Sequence, residues 1–171
     1  MSGGAVEVRV AASLVERRAH MRIRRRVFVE EQRLFERTDR DPWDASALHV
    51  VAIAGGEVLG AVRLYALDEA GLWKGDRLAV LPGARTLRMA SDLVRFAVAT
   101  AGALGGNLMV ACVQVPNVPF FARLGWDPIG RPFEYHGEPH RRMTTGLGAP
   151  AEPADAEDWT LAWGLSDPRA R

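Results

Sequence analysis

Cysteine is nearly absent from this chain, with Cys112 the only one among 171 residues. A lone thiol cannot close an intramolecular disulfide or build a Cys-rich zinc site, which excludes a disulfide-stapled scaffold and fits a reducing compartment. An excess of either charge is missing too: 22 Lys and Arg stand against 21 Asp and Glu. The balance removes the global field by which nucleic-acid and anionic-membrane binders announce themselves, and leaves only local patches. Basic residues are not interleaved with aromatics in a nucleic-acid pattern, and no His-Glu or Cys-His spacing suggests a metal site. No run approaches the roughly 20 apolar residues that cross a bilayer, and Met1–Val10 has no apolar core of signal-peptide length. The expectation is a cytoplasmic protein with no metal, no nucleic acid and no membrane partner.

What is present is ordinary globular material, 48% apolar and 25% charged, enough for one domain with a real core. That domain is expected to span residues 1–148. Residues 149–171, rich in Ala, Pro and acid, read as a flexible tail carrying Trp159 and Trp163 at i,i+4 spacing. A short alternating strand around Val6–Val10 leads to "SLVE", a capping box in which Ser13 accepts from the first turn and Glu16 reaches back. The helix it opens should run to about Arg33, with Ile23 and Val27 on one face. "RTDRDPWDAS" reads as a polar loop. "LHVVAIA", a Gly-Gly turn and "VLGAVRLYAL" signal a hairpin, and "GLWKGDRLAVL" supplies a third strand, although "KGD" equally suits a turn.

A second helix, beginning near Arg85, carries Leu87, Ala90, Val94, Ala97, Val98 and Ala101 on one stripe. "NLMVACVQV" is apolar enough for a strand buried on both faces, which makes Cys112 a small buried residue rather than a nucleophile. "NVPFFARLGW" is a short helix closing on Gly125, followed by strands at about Ile129–Tyr135 and His140–Thr145. The order is strand, helix, three-strand meander, helix, strand, short helix and two strands. It describes an α/β protein, a mixed sheet with a right-handed βαβ unit at its centre.

The handover from "LAV" through Pro82-Gly83 into the second helix carries Arg85 and Arg88. Amides at a helix N-terminus lack intrahelical partners and the macrodipole is positive there, so the turn is a natural anion site. Two arginines strengthen such a cradle but oppose the dipole, and something negative must compensate them. A pyrophosphate or a neighbouring carboxylate would serve.

This stretch resembles motif A of the GNAT acyltransferase superfamily, a strand followed by Arg or Gln, two residues, Gly, one residue, and Gly or Ala. Arg85 and Ala90 match its ends, and Arg88 stands where the middle glycine is expected. "VPNVPFFARLGW" looks like the GNAT segment in which Asn117 opens a short helix ending in Leu124, Gly125 and Trp126. "RRRVFVEEQRLFERTDRDPWDASALHVVAIAGGEVLGAVRL", "GDRLAV" and "GEPHRRM" extend the likeness over roughly Arg18–Leu147. Together these segments resemble the stand-alone N-acetyltransferases associated with nitrogen starvation and found beside nitrilase-type genes.

The resemblance implies a GNAT-like fold with a central mixed sheet flanked by helices, and acyl-CoA, most simply acetyl-CoA, as co-substrate. It implies coenzyme contacts from Leu78, Ala79, Val80, Arg85, Thr86, Leu87, Arg88, Met89, Ala90, Asn117 and Phe121, with a backbone amide near Leu78–Val80 polarising the thioester carbonyl. The acceptor would be the amine of a small molecule, and the family pattern allows a homodimer. Many members use a tyrosine where this chain has Phe121, which cannot donate a proton. Tyr135, His136 and His140 are the alternative acids, each equally consistent with packing. Glu30, Glu31 and Asp76 are the candidate bases, with Glu31 favoured over its neighbour because it shares the Val27 stripe.

Asp41, Asp44 and Arg63, with Arg24 and Phe28 before them, also resemble acyl-homoserine-lactone synthases, which acylate an amine of S-adenosylmethionine. Those enzymes carry a Trp where Leu34 and Phe35 stand here. A structural ion pair between Arg63 and Asp41 or Asp44 explains the same residues without catalysis. The departures at Arg88 and Phe121 leave room for a third reading, a ligand-binding module on a GNAT scaffold that has lost its chemistry.

Overall fold

The structure is a computed structural model that describes residues 5–86 and 88–148. Its strands are β1 (Glu7–Val10), β2 (Leu48–Ala54), β3 (Glu57–Ala66), β4 (Leu72–Val80), β5 (Leu108–Gln114), β6 (Asp127–Tyr135) and β7 (Glu138–Gly146). Its α-helices are α1 (Leu14–Arg24), α2 (Met89–Ala103) and α3 (Val118–Arg123). One seven-stranded sheet runs in the order β1-β2-β3-β4-β5-β7-β6. The β4–β5 pair is parallel, while β1–β2, β2–β3, β5–β7 and β6–β7 are antiparallel. Helices flank this sheet, and the mixed α/β architecture expected from the sequence is present. The expected tail, with Trp159 and Trp163, lies outside the described residues.

The chain divides into two compact units, the first comprising everything up to Tyr65 together with Asp76–Ala97. Its α1 opens as expected: Ser13 Oγ accepts from the Glu16 amide at 3.2 Å, and the Glu16 carboxylate reaches back to the amides of Ala12, at 2.7 Å, and Ser13. The helix does not continue unchanged to Arg33. From Arg25 to Glu31 it widens into a π-helix, with the Gln32 amide bonding five residues back to the Val27 carbonyl at 2.9 Å. The widening lets the adjacent Val27 and Phe28 both enter the core with Ile23, Leu34, Ala61 and Ala79. Arg33 then takes a left-handed conformation (φ 52°), and the amides of Leu34 and Phe35 turn back onto the Phe28 carbonyl. A further correction concerns Pro42–Ala45, expected as plain loop. It is a 3₁₀ turn in which Asp41 accepts from the Trp43 amide and Asp44 from the Asp41 amide.

The β2–β3 hairpin closes on Gly55 and Gly56, both at positive φ as a two-residue primed turn demands. Along β3, Gly60 lets α2 press down on the sheet, because a Cβ there would lie 2.8 Å from Met89 Sδ and 2.9 Å from Leu93 Cδ1.

The second unit comprises Ala66–Gly75 and the chain from Val98 onward. In it, Leu72–Lys74 pair in parallel with Leu108–Val110, and β5 is paired with β7 from Leu108↔Gly146 to Gln114↔His140. The last turn of α2 meets the end of β7 closely: a Cβ on Gly102 would sit 2.7 Å from the Leu147 carbonyl oxygen. β6 is an edge strand that carries Pro128 and Pro132 and a bulge between Ile129 and Phe133, features that discourage pairing with another chain. Phe121 of α3 packs edge-on against the buried Trp126.

Gly102→Ala should destabilise the protein by up to about 2 kcal/mol in urea denaturation. The carbonyl it would strike is backbone and cannot swing aside, so overpacking outweighs the roughly 1 kcal/mol that alanine gains in a helix.

Candidate functional site

Within the first unit β4 is not a regular strand. Arg77 sits at φ 55° between Asp76 and Leu78, a conformation that costs an arginine about 1–3 kcal/mol unless its surroundings hold it. They do. Its guanidinium bonds the Asp39 carbonyl through Nε (3.1 Å) and Nη2 (2.9 Å), pairs with Asp41 at 3.3 Å, and lies over the Phe35 ring. The "KGD" alternative is thereby settled as strand, and the strict alternation that would have set Asp76 and Leu78 on one face is interrupted between them.

Arg77 is one part of a larger network. Arg63, on β3, is wholly buried, with both Asp76 oxygens at 2.7 Å and the Asp41 oxygens at 2.6 and 2.8 Å. Asp44 approaches it at 3.1 Å. Arg24, equally buried, pairs with Asp39 and Asp44, each at 2.6 Å. Tyr65 donates its hydroxyl to Asp76 at 3.2 Å and stacks on Trp43, ring centroids 4.5 Å apart. The structural ion pair proposed for Arg63 is present, and it engages Asp41, Asp44 and Asp76 together.

Burial opposes the charges of Arg63 and Arg24, but their hydrogen-bonded carboxylates more than offset it, so both are held protonated. For Asp44 burial likewise opposes ionisation, and the bonds from Arg24 and the Asp41 amide outweigh it, holding the carboxyl well below the usual range. Burial and the Asp76 charge raise the Tyr65 phenol, which stays a neutral donor.

The expected anion turn lies in the same unit. Pro82–Ala84 form a 3₁₀ turn and α2 begins only at Met89, so Arg85 precedes the helix instead of opening it. Arg88 is the residue at the cap: its carbonyl accepts from the Asp92 amide at 3.1 Å and from Ser91 Oγ at 2.7 Å. A guanidinium has no acceptor to offer the first-turn amides. Arg88 is also at φ 33°, the left-handed region that a glycine in this motif position would supply. Its side chain is exposed. Arg85 donates from Nε to the Val80 carbonyl at 3.0 Å, and its Nη2 lies 2.8 and 3.0 Å from the two Glu31 oxygens.

The other expected contacts are distributed unevenly. Ala79, Val80 and the Met89 side chain are buried, Leu78 and Ala90 are half-buried, Thr86 is exposed, and Leu87 lies outside the described residues. Asn117, Phe121 and Tyr135 belong to the second unit. Asn117 is exposed at the start of α3, with no side-chain bond to the cap. Tyr135 stands edge-on to His136 and His140, and His140 Nδ1 lies 2.8 Å from the Glu138 carbonyl. Glu30 pairs with Arg25 and Arg26, away from Glu31.

Residues 17–126 match the family model described as the acetyltransferase (GNAT) family. The chain belongs to the GNAT acetyltransferase family. Solved structures agree at the level of fold. A Lactobacillus plantarum structure assigned to the N-acetyltransferases superposes with a TM-score of 0.76 at 20% identity, covering 84% of this chain and 99% of that one. An acyl-CoA N-acyltransferase from Pseudomonas aeruginosa gives 0.71 at 21%, covering 82% and 98%. The CoA-dependent acyl-homoserine lactone synthase BjaI, with SAM and isopentyl-CoA, gives 0.70 at 18%, covering 86% and 85%. Among the described residues no cluster of metal-ligating side chains occurs, and no helix is long and apolar enough to cross a membrane.

One GNAT-chain feature escaped the sequence reading. His20 and His49 are both buried and meet edge-on at 4.8 Å. Their Nε2 atoms face the carbonyls of Val62 and Asp44, flanking the Arg63 network, and their Nδ1 atoms have no partner among the described residues. Nothing in their spacing marks them, since the pairing depends on α1 packing beside β2.

Burial drives His20 down to about 3 from 6.5 and lowers His49 as well. A depressed histidine contributes its full stability above pH 6.5. Below that the unfolded chain takes up a proton that the native state refuses, so stability should fall by about 1.4 kcal/mol per pH unit toward pH 3 on account of His20, with His49 adding a loss in the same direction. Chemical denaturation at pH 7.5, 5.5 and 4.5 reads the slope, and His20→Gln should remove one proton's share of it. Arg63→Ala should cost about 3–5 kcal/mol, because it strands buried carboxylates without their cation. Equilibrium unfolding measures that loss.

Proposed function

We propose that this GNAT protein transfers an acyl group from acyl-CoA, with acetyl-CoA the simplest donor, to the amine of a small molecule in the cytoplasm. In that reaction the amine nitrogen bonds to the thioester carbonyl carbon, the carbon–sulfur bond breaks, and the amine's proton ends on the departing thiolate or in solvent. The observation that carries the reading is the backbone at Arg88. A non-glycine residue there has the left-handed φ that the motif assigns to glycine, directly before α2, with a second arginine three residues upstream. The residues present fit a pyrophosphate: two guanidinium groups and a cap that leaves first-turn amides without a side-chain acceptor.

In this reading Arg85, Thr86, Arg88, Met89 and Ala90 meet the phosphates, the Met89 contribution being its amide since its side chain is buried. Leu78–Val80 present a backbone donor to the thioester, and Asn117 and Phe121 serve from α3. Phe121 offers no proton, which leaves Tyr135 as the acid, with His140 behind it, and Asp76 as a base candidate already committed to Arg63 and Tyr65. We keep the narrower grouping with the nitrogen-starvation N-acetyltransferases as the reading of the motifs.

A second acceptor reading has its own support. Arg24, Asp41, Asp44 and Arg63, the residues that resemble acyl-homoserine-lactone synthases, form one connected network. That favours testing S-adenosylmethionine among the amines.

Acetyl-CoA should bind with measurable heat in titration calorimetry, and thiol release should follow with at least one member of an amine panel that includes S-adenosylmethionine. No heat and no thermal shift at millimolar ligand would remove the reading, whereas binding without turnover on any amine would favour the non-catalytic module. Arg85→Glu should weaken coenzyme A binding about 10–100-fold, the equivalent of one or more charge-assisted hydrogen bonds, with the melting temperature little changed.

A further inference from the structure

The turn before α2 holds one arginine that the protein already answers and one that it does not. Arg88 is exposed and makes no ion pair among the described residues, while Arg85 is clamped between the Val80 carbonyl and the Glu31 carboxylate. We infer that Glu31 is a built-in stand-in for the coenzyme's phosphate: it occupies Arg85 in the empty protein, must be displaced when the coenzyme binds, and thereby sets its affinity. This rests on the coenzyme reading above and gives Glu31 a role other than the base that the sequence suggested.

Glu31 is placed there by the fold. It ends the π-helical segment whose Val27 and Phe28 are sunk in the core, and the segment's geometry sends its neighbour Glu30 the other way, onto Arg25 and Arg26. The two adjacent carboxylates therefore do different things, and Glu30 is a control of equal charge one residue away. The contact is also easy to give up. Arg85 and Glu31 are 44% and 34% exposed, and pairs so open to water are weak and screened. A pyrophosphate, with one negative charge on each phosphate, that also meets Arg88 and the first-turn amides outcompetes one carboxylate. The Nε bond to Val80 survives the exchange, so the guanidinium need not move far.

The test is calorimetric titration of coenzyme A into the intact protein and into Glu31→Gln, Glu30→Gln, Arg85→Ala and the Arg85→Ala/Glu31→Gln double variant, each first shown to melt like the parent. The inference expects Glu31→Gln to tighten binding about two- to fivefold, the range of an exposed pair, with Glu30→Gln within error of the parent. It also expects the gain to vanish in the Arg85→Ala background, as coupling through one contact requires. Unchanged or weaker binding in Glu31→Gln, or an equal gain in Glu30→Gln, overturns the role of Glu31 and leaves the coenzyme reading standing. No binding to any of the proteins overturns the coenzyme reading and takes this inference with it.

Discussion

The buried Arg63 guanidinium is the constraint around which the first unit is organised. An arginine with no access to water must have its fork of donors answered by the protein, and here the answer comes from two directions in the chain. Asp76 arrives from β4 and Asp41 from the turn after the π-helix, each with both oxygens engaged. Asp41 also caps the 3₁₀ turn that positions Asp44 and Trp43, so the same carboxylate fixes a local backbone and a long-range contact. Next to Asp76, Arg77 leaves the strand's alternation, and its left-handed backbone is held by Asp39 and Asp41. A well-packed apolar cluster would often be as stable as buried ions. Here the ion pairs tie Asp76 of β4 and Asp41 of the turn to one residue of β3.

The second organising fact is that a motif glycine is a statement about φ before it is a statement about residue type. The sequence raised a doubt at Arg88, because an arginine has a side chain where close approach to a pyrophosphate was expected. The backbone nevertheless adopts the conformation for which glycine is usually chosen. The Cβ remains, and the exposed side chain carries a cation at the start of α2. The departure exchanges clearance for charge at one position and leaves the family's turn geometry in place.

How far the sequence could be read depended on how local each feature is. The β2–β3 hairpin and the capping box are written in neighbouring residues and stand as expected, while α2 buries Met89 and Leu93 beside the expected Val94, Ala97 and Ala101. The seven strands and the parallel step through α2 followed from the sequence of elements, whereas the place of β7 between β5 and β6 did not. The features that differed are those imposed from a distance. The π-helix at Arg25–Glu31 follows on α1, whose last residue, Arg24, is drawn into Asp39 and Asp44. The later start of α2 follows from the turn around Arg85, which bonds backward to Val80 and across to Glu31. His20 meets His49 only because a helix and a strand come together, so no spacing in the chain discloses the pair. The residue types of the Arg63 network were visible as candidates. Their burial was not, and burial is what turns a weak surface pair into a structural requirement.

The two arginines of the turn also show how one stretch of sequence can serve structure and binding together. Arg85 donates to the carbonyl of the last residue of β4, a contact within the fold that needs no ligand. Its remaining donors are what the carboxylate of Glu31 covers. Among the described residues the Arg88 side chain has no comparable contact: it opposes the helix dipole from the cap and carries a conformational cost as well. A residue that is unfavourable on both counts is not explained by the fold's own stability, and an anion, whether phosphate or carboxylate, is what relieves a cation at a helix start. The assignment therefore leans more on Arg88, which the fold does not need, than on Arg85, which it partly does.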